Sequence, residues 1–255
     1  MRATHRGQPA PGFVAEGGRR GRGASQLVFV DERPHILYKD YANGAVKHAT
    51  YEDGAWKTEV VEPAAANGLS LVADVEVVNT AFQPGSNTSL ALRNGTPEIV
   101  YTQRENNIYF RVYHAARVDA MNWDKAEVTS SYMYDTTNPF LVDATGGRHI
   151  FPATYDGLLH MQGTPGSWTK EPITTSSIAT SAALDAKGVS HVAYLDIGAQ
   201  RMSYASHATG SFQTTEVDPT SFATGGSLKV DDTGRVHIAH HDLSAKRLMY
   251  ATACP

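Results

Sequence analysis

A four-part unit of short runs recurs five times along the chain, and a repeat of this kind constrains the fold more than any motif or composition does. Its first part is a brief apolar run, from Gln26 to Val30, Ser89 to Leu92, Pro139 to Val142, Ser181 to Leu184 and Ser227 to Val230. A polar turn follows, such as Asp185-Ala186-Lys187-Gly188 or Asp231-Asp232-Thr233-Gly234, of the kind that closes hairpins. The second part begins at His35, Glu98, His149, His191 and His237, and reads His-Ile-Leu-Tyr-Lys-Asp in the first copy. The third contains His48-Ala49, Phe110-Arg111, His160-Met161, Tyr204-Ala205 and Tyr250-Ala251. The fourth carries an aromatic residue followed by Glu: Trp56 and Glu59, Trp123 and Glu127, Trp168 and Glu171, Phe212 and Glu216.

Only four fourth parts follow their own third parts. The missing one matches Phe13 and Glu16 at the other end of the chain. A sheet left open exposes unpaired backbone along its edges, and a ring of repeats removes most of that edge. The repeat therefore predicts an all-β fold, a five-bladed β-propeller with four-stranded blades, closed by an N-terminal outer strand. It predicts one domain over residues 1–255, with 1–8 as a flexible lead-in and 62–88 as an inter-blade insertion. Long insertions in repeat folds gather on the working face.

Composition narrows the partners. The net charge of −4 is too mild for a nucleic-acid or membrane-surface partner. No apolar run approaches the roughly 18 residues of a membrane-spanning helix. Met1 to Gly12 contain no apolar h-region, so no signal peptide is expected in this chain, which is read as soluble, either cytoplasmic or secreted after removal of a leader. The lone Cys254 excludes an internal disulfide. Oligomeric state is left open. No cofactor and no metal are expected, because the sequence holds no Walker loop, HExxH or CxxC pairing, and it also lacks a GxSxG elbow.

The repeat also indicates where a ligand would bind. Inner strands start, and second strands end, on the face where the insertion and the basic loop containing Arg19, Arg20 and Arg22 open. Asp40, Gln103, Asp196 and Asp242 end second strands there, with Arg104 beside Gln103, and Asn138 precedes an inner strand. These residues and the Arg20–Arg22 guanidinium groups are the candidate substrate-binding set, because guanidinium pairs anionic groups bidentately. Polar groups converging at the mouth of a packed fold form the default binding site. The competing role for the aspartates is capping of their own loops. For the histidines that open the second strands it is tying strands together, and for the tryptophans it is outer-strand packing.

The fifth copy departs from the others by replacing the usual Tyr with His240 and adding His241 before Asp242. Alternation along a strand makes His240 and Asp242 neighbours and turns His241 the other way. A His beside a carboxylate serves as a general base or holds a polar ligand. The same pair can also be a satisfied element of the core.

The run Ser227-Leu228-Lys229-Val230-Asp231, Gly234-Arg235-Val236-His237-Ile238-Ala239 and Leu248-Met249-Tyr250-Ala251 resembles the repeats of BNR-like bacterial propeller proteins. That group includes sialidase-like, lectin-like and polysaccharide-lyase members. The sialidase Asp-box is not matched, since Asp232-Thr233-Gly234 is followed by Arg235-Val236. By analogy with the uronate lyases of this type, which use His, Tyr and Arg, the resemblance implies His240 or His241, Tyr38 or Tyr194, and Arg20 or Arg22 as reacting groups. Three functions follow as expectations. The first is a single-site acid–base lyase or hydrolase acting at the central mouth on a polar, saccharide-like or anionic small molecule. The second is a lectin-like propeller binding glycans, and the third is a protein-interaction scaffold.

Overall fold

The structure, a computed structural model, describes residues 25–30, 32–40, 45–63, 88–104, 109–119, 122–132, 138–175, 177–219 and 223–253. They form five antiparallel sheets in chain order and contain no helix, so none among them is long and apolar enough to cross a membrane. The first sheet runs β1 (Ser25–Val30), β2 (Arg33–Asp40), β3 (Ala45–Glu52) and β4 (Ala55–Glu62). The second runs β5 (Thr88–Arg93), β6 (Thr96–Arg104), β7 (Tyr109–Arg117) and β8 (Trp123–Tyr132). In the third, the second strand is split around Phe151-Pro152 into β10 (Arg148–Ile150) and β11 (Ala153–Thr154), because proline has no N–H for the ladder. Both pieces pair with β12 (Gly157–Thr164), flanked by β9 (Phe140–Val142) and β13 (Ser167–Thr174). The fourth sheet is β14 (Ser177–Leu184), β15 (Ser190–Asp196), β16 (Arg201–Ser206) and β17 (Gln213–Glu216). The fifth, β18 (Ala223–Val230), β19 (Val236–Asp242) and β20 (Arg247–Ala253), has three strands among the described residues. The Phe13–Glu16 strand, the 1–8 lead-in, Arg20, Arg22 and most of the 62–88 insertion lie outside the described residues.

Each of the second, third and fourth sheets buries one side against the sheet before it and the other against the sheet after it. Leu37, Val46 and Val61 of the first sheet pack with Leu90, Ile99 and Tyr101 of the second. Val100, Phe110, Val112 and Val128 of the second pack with Phe140 and Ile150 of the third. Ala193, Leu195 and Met202 of the fourth pack with Leu228, Val236 and Ile238 of the fifth. Successive second-strand residues therefore serve different neighbours, as strand alternation requires. The core is a series of inter-sheet layers, and the innermost strands β1, β5, β9, β14 and β18 lie against one another in that order.

The fourth-strand aromatics are packing elements. Trp123 meets the edge of His48 in the preceding sheet, Trp168 meets His114, and Phe212 meets His160, with ring centroids 5.9, 5.9 and 5.4 Å apart. One edge-to-face contact is thus repeated at three successive interfaces.

Candidate functional site

The aspartates that end the second strands are engaged by their own hairpins. Asp196 Oδ1 accepts the Ala199 N–H at 2.9 Å. Asp242 Oδ1 accepts the N–H groups of Ser244 and Ala245 at 2.9 and 3.0 Å. Asp40 pairs across its hairpin with Lys47 at 2.6 Å. This is loop capping by short carboxylates. Gln103 and Arg104 lie in β6, where the description extends to the backbone and not to their side chains.

Asn138 is held differently. It is buried just before β9, where its Nδ2 donates to Thr102 Oγ1 at 2.7 Å and its backbone carbonyl accepts from Ser89 Oγ at 2.7 Å. Its Oδ1 has no protein partner among the described residues. Asn138 thus bridges the second and third sheets and keeps one acceptor unused.

His240 and Asp242 are both buried on one side of β19, and His241 is exposed on the other. The His240 ring faces the link after β17, with Nε2 3.9 Å from Asp218 Oδ2. Its Nδ1 has no partner among the described residues. Burial lowers the His240 pKa against the raising pull of the Asp218 and Asp242 carboxylates, so the ring is neutral at pH 7. The structure therefore gathers His240, Asp242 and Asp218 at the layer between the fourth and fifth sheets. It does not bring the two tyrosines to them. Tyr194 is buried between the third and fourth sheets with Phe151, Leu158 and Ile173, and burial raises its hydroxyl pKa. Tyr38 is half-buried in the first sheet. Asp218 follows Val217 as Glu62 follows Val61 in the first copy, and Glu62 accepts from the hydroxyl of Tyr101, the second-sheet residue at His240's repeat position, at 3.0 Å, so the acidic residue closing the fourth part was the signal for it.

A second set of polar groups lies at the opposite ends of the second strands. Asp143, Asp185 and Asp231 each stand six residues before a second-strand histidine. Oδ1 of each accepts two backbone N–H groups of its turn, at 2.8 Å in the third and fourth sheets and at 2.9 and 3.0 Å in the fifth. The other oxygen faces the histidine Nε2, at 3.2 Å for His149, 3.8 Å for His191 and 3.0 Å for His237. Across the sheet, Nδ1 meets His160 Nε2 at 3.0 Å, the Tyr204 hydroxyl, and the Tyr250 hydroxyl at 2.6 Å. His35 likewise meets His48, which meets Glu59 at 2.7 Å. In the second sheet Glu98 takes the histidine's place, accepting from His114 and bidentately from Arg148 of the third sheet.

The pKa values follow the contacts. Burial would raise the Asp143 carboxyl, but the Thr145 hydroxyl and Gly147 N–H hold it down to about 2. The Thr233 hydroxyl, followed by His237, holds Asp231 well below the usual carboxylate range. Burial, with His149 and His207 nearby, pushes His160 down to about 3.

The fifth-sheet copy of this relay differs in being covered by no other sheet among the described residues. Ser227, Lys229, Asp231, His237, Ala239 and Tyr250 line an open groove of about 330 Å³. With Nε2–H donated to Asp231, the His237 ring offers Nδ1 to the Tyr250 hydroxyl, an Asp–His–Tyr relay. The six-residue Asp-to-His spacing is the signal that exposes it in the sequence.

No family model matches the chain, and no curated protein matches it. Among solved structures it is similar to an endo-arabinase from Bacteroides thetaiotaomicron VPI-5482, at 8% identity and TM-score 0.48 over 91% of this chain and 93% of that one. It is similar also to a bifunctional GH43-CE protein of Bacteroides eggerthii, at 13% identity and TM-score 0.48 over 89% of this chain. The chain spans 32% of that protein's length. A third is YCF48 bound to D1 peptide, at 13% identity and TM-score 0.48, covering 88% of this chain and 62% of that one. Likenesses at this level assign this chain no activity.

Proposed function

We propose that the five sheets are the blades of a β-propeller whose ring is completed by an outer strand around Phe13 and Glu16, and that it binds one hydroxyl-rich, saccharide-like ligand where the second strands end. The observation that carries this reading is that two buried atoms at that end have no partner among the described residues, Asn138 Oδ1 between the second and third sheets and His240 Nδ1 between the fourth and fifth. Leaving a buried polar atom without a partner costs about 1–3 kcal/mol. One hydroxyl of a ligand with several would donate to Asn138 Oδ1, and a separate one would pair with His240 Nδ1. A small anionic ligand fits less well, because Asp218 and Asp242 flank His240 and the ring is neutral. The turn-capping roles of Asp196 and Asp242 favour binding over catalysis, since each spends one oxygen on its own loop.

Acid–base catalysis is the second reading, supported by a neutral imidazole set between two carboxylates. It assigns the reacting role to His240 with Asp218 and Asp242, and leaves Tyr38 and Tyr194 in structural ones.

A glycan panel read by thermal shift, followed by titration calorimetry, tests both. One ligand class should stabilise the protein by about 2.7 kcal/mol at a hundredfold excess over Kd. Binding should have a stoichiometry of one per chain and be lost in His240→Gln and Asn138→Ala variants that retain their unfolding midpoint. Several equivalent sites per chain, or full binding by both variants, would refute the single-site reading. Turnover of the bound glycan that disappears with His240→Gln would favour the enzyme.

A further inference from the structure

The inner strands of the fourth and fifth sheets each carry one residue more than the second strand they pair with. In β14 the register passes from Ala179 opposite Tyr194 to Ser181 opposite Ala193, so Thr180 faces no residue. In β18 it passes from Thr224 opposite His241 to Gly226 opposite His240, and Gly225 is the residue passed over. Both are β-bulges at the end where the second strands finish, a device common beside active sites. The two copies are filled differently. Beside the first stands Tyr194, whose hydroxyl finds partners in Ser203 and Thr214 of its own sheet. Beside the second stands His240, the residue at Tyr194's repeat position, which is 2% exposed and has no described partner for Nδ1.

Gly225 is exposed and left-handed, at φ +59°, and a Cβ there would meet no described atom within 4 Å. Gly157 and Gly163, the other positive-φ glycines within described strands, have no such room. A Cβ at either would run into a backbone carbonyl at 2.2 Å, so packing demands glycine there. At Gly225 no described neighbour demands it. Glycine in an open bulge is the residue that lets another molecule approach the main chain closely.

We infer that the Gly225-Gly226 bulge is the floor on which one neutral sugar ring of the ligand rests, with a hydroxyl of that ring donating to His240 Nδ1. The inference rests on the glycan reading above and names the part of the site that selects the ring. With the ring proton of His240 turned toward Asp218, Nδ1 is left as an acceptor. A hydroxyl is the donor that suits it. An anionic ring does not, since the Asp218 carboxylate stands 3.9 Å from Nε2 and Asp242 lies on the same side of β19. Gly225 sets the clearance, because a side chain in the open space over the bulge takes the volume of the sugar. The fourth sheet gives the contrast: its bulge carries Thr180, and its Tyr194 is already satisfied.

The test uses the full chain with methyl β-D-glucopyranoside and methyl α-L-arabinofuranoside as neutral probes and methyl β-D-glucopyranosiduronate as a charged one. Ring ¹⁵N NMR follows His240, assigned by the loss of its resonances in His240→Gln. At least one neutral probe should shift Nδ1 saturably, and the uronate should act at least tenfold more weakly. Gly225→Asn tolerates the left-handed backbone and fills the open space. It should weaken the neutral probe at least tenfold while keeping its unfolding midpoint. Parent affinity in Gly225→Asn would overturn the inference, and so would a His240 ring that no neutral probe shifts. Should that variant fail to fold, the parent protein decides: a uronate that binds as well as the neutral rings overturns the inference. One-to-one binding of a panel glycan that Gly225→Asn retains would sink this inference and leave the glycan reading standing. Absence of any one-to-one glycan binding sinks that reading itself.

Discussion

Replacing Glu98 by Gln removes the charge from the most enclosed ion cluster among the described residues while preserving its shape. Glu98 is 2% exposed, with Oε2 2.6 Å from Arg148 Nε and 2.9 Å from His114 Nε2, and Oε1 2.7 Å from an Arg148 terminal nitrogen. Burial alone would raise the Glu98 carboxyl, but the His114 and Arg148 hydrogen bonds and charges pull it from 4.5 down to about 2. A carboxyl whose folded pKa lies below its unfolded value adds stability above the unfolded pKa and loses it as pH falls toward the folded one. The shift converts to about 3 kcal/mol at pH 7, which falls to roughly 1.5 kcal/mol at pH 3 as the unfolded chain takes up the proton. Breaking a buried pair from one side costs a similar amount, about 3–5 kcal/mol, because Arg148 keeps its charge without a counterion. Urea unfolding followed by tryptophan fluorescence should therefore show Glu98→Gln less stable by about 3 kcal/mol at pH 7, or about 6–12 °C in midpoint. The gap to the parent protein should narrow by half at pH 3. A gap below about 1 kcal/mol at pH 7, or one that does not change with pH, would refute the assignment of this stability to the ionised carboxylate.

Three further outcomes follow from the geometry. Gly163→Ala should cost about 3 kcal/mol or more in urea unfolding, because at φ +148° a Cβ would run into the Ser167 carbonyl, whereas Gly166→Ala, at φ +80° with open space around it, should cost only about 1–2 kcal/mol. The His160 imidazole should stay neutral in ring ¹⁵N NMR down to about pH 4, and stability should decline as pH falls from 6.5 toward 3 because the unfolded chain protonates first; titration near 6.5 in the folded protein would contradict its burial. Asp143→Ala, which frees the Thr145 and Gly147 N–H groups and releases His149, should lower stability by about 1–2 kcal/mol and remove a contribution that the parent loses between pH 3.8 and about 2; identical acid unfolding of the two proteins would exclude the cap.

The five-copy repeat was legible because each copy must build its own hairpins and each hairpin announces itself locally. Apolar alternation, an Asp-Gly turn and an aromatic at a fixed place need no information from elsewhere in the chain. Packing roles carried over for the same reason. Trp123, Trp168 and Phe212 recur at one repeat position, and residues that recur at one position meet the same neighbour in each layer. The Asp-to-His spacing was equally available at Asp143, Asp185 and Asp231, although its meaning required the turn geometry that lets one carboxylate cap a loop with one oxygen and reach an imidazole with the other.

The candidate site was less legible because alternation tells which residues share a side of a strand and not which sheet that side faces. His240 and Asp242 do share a side, but that side looks into the layer between the fourth and fifth sheets, where Asp218 holds the place that Glu62 holds against Tyr101 between the first and second. Tyr38, Tyr194 and His240 occupy one repeat position, and that equivalence is what separates them. A position repeated around a stack is displaced by one sheet at each step, so the three side chains enter successive layers of the stack instead of one cavity. Groups that act together in such a fold must come from different repeat positions on adjacent sheets. Asn138 with Thr102, and His240 with Asp218, satisfy that condition, and each leaves one buried atom for something else to pair.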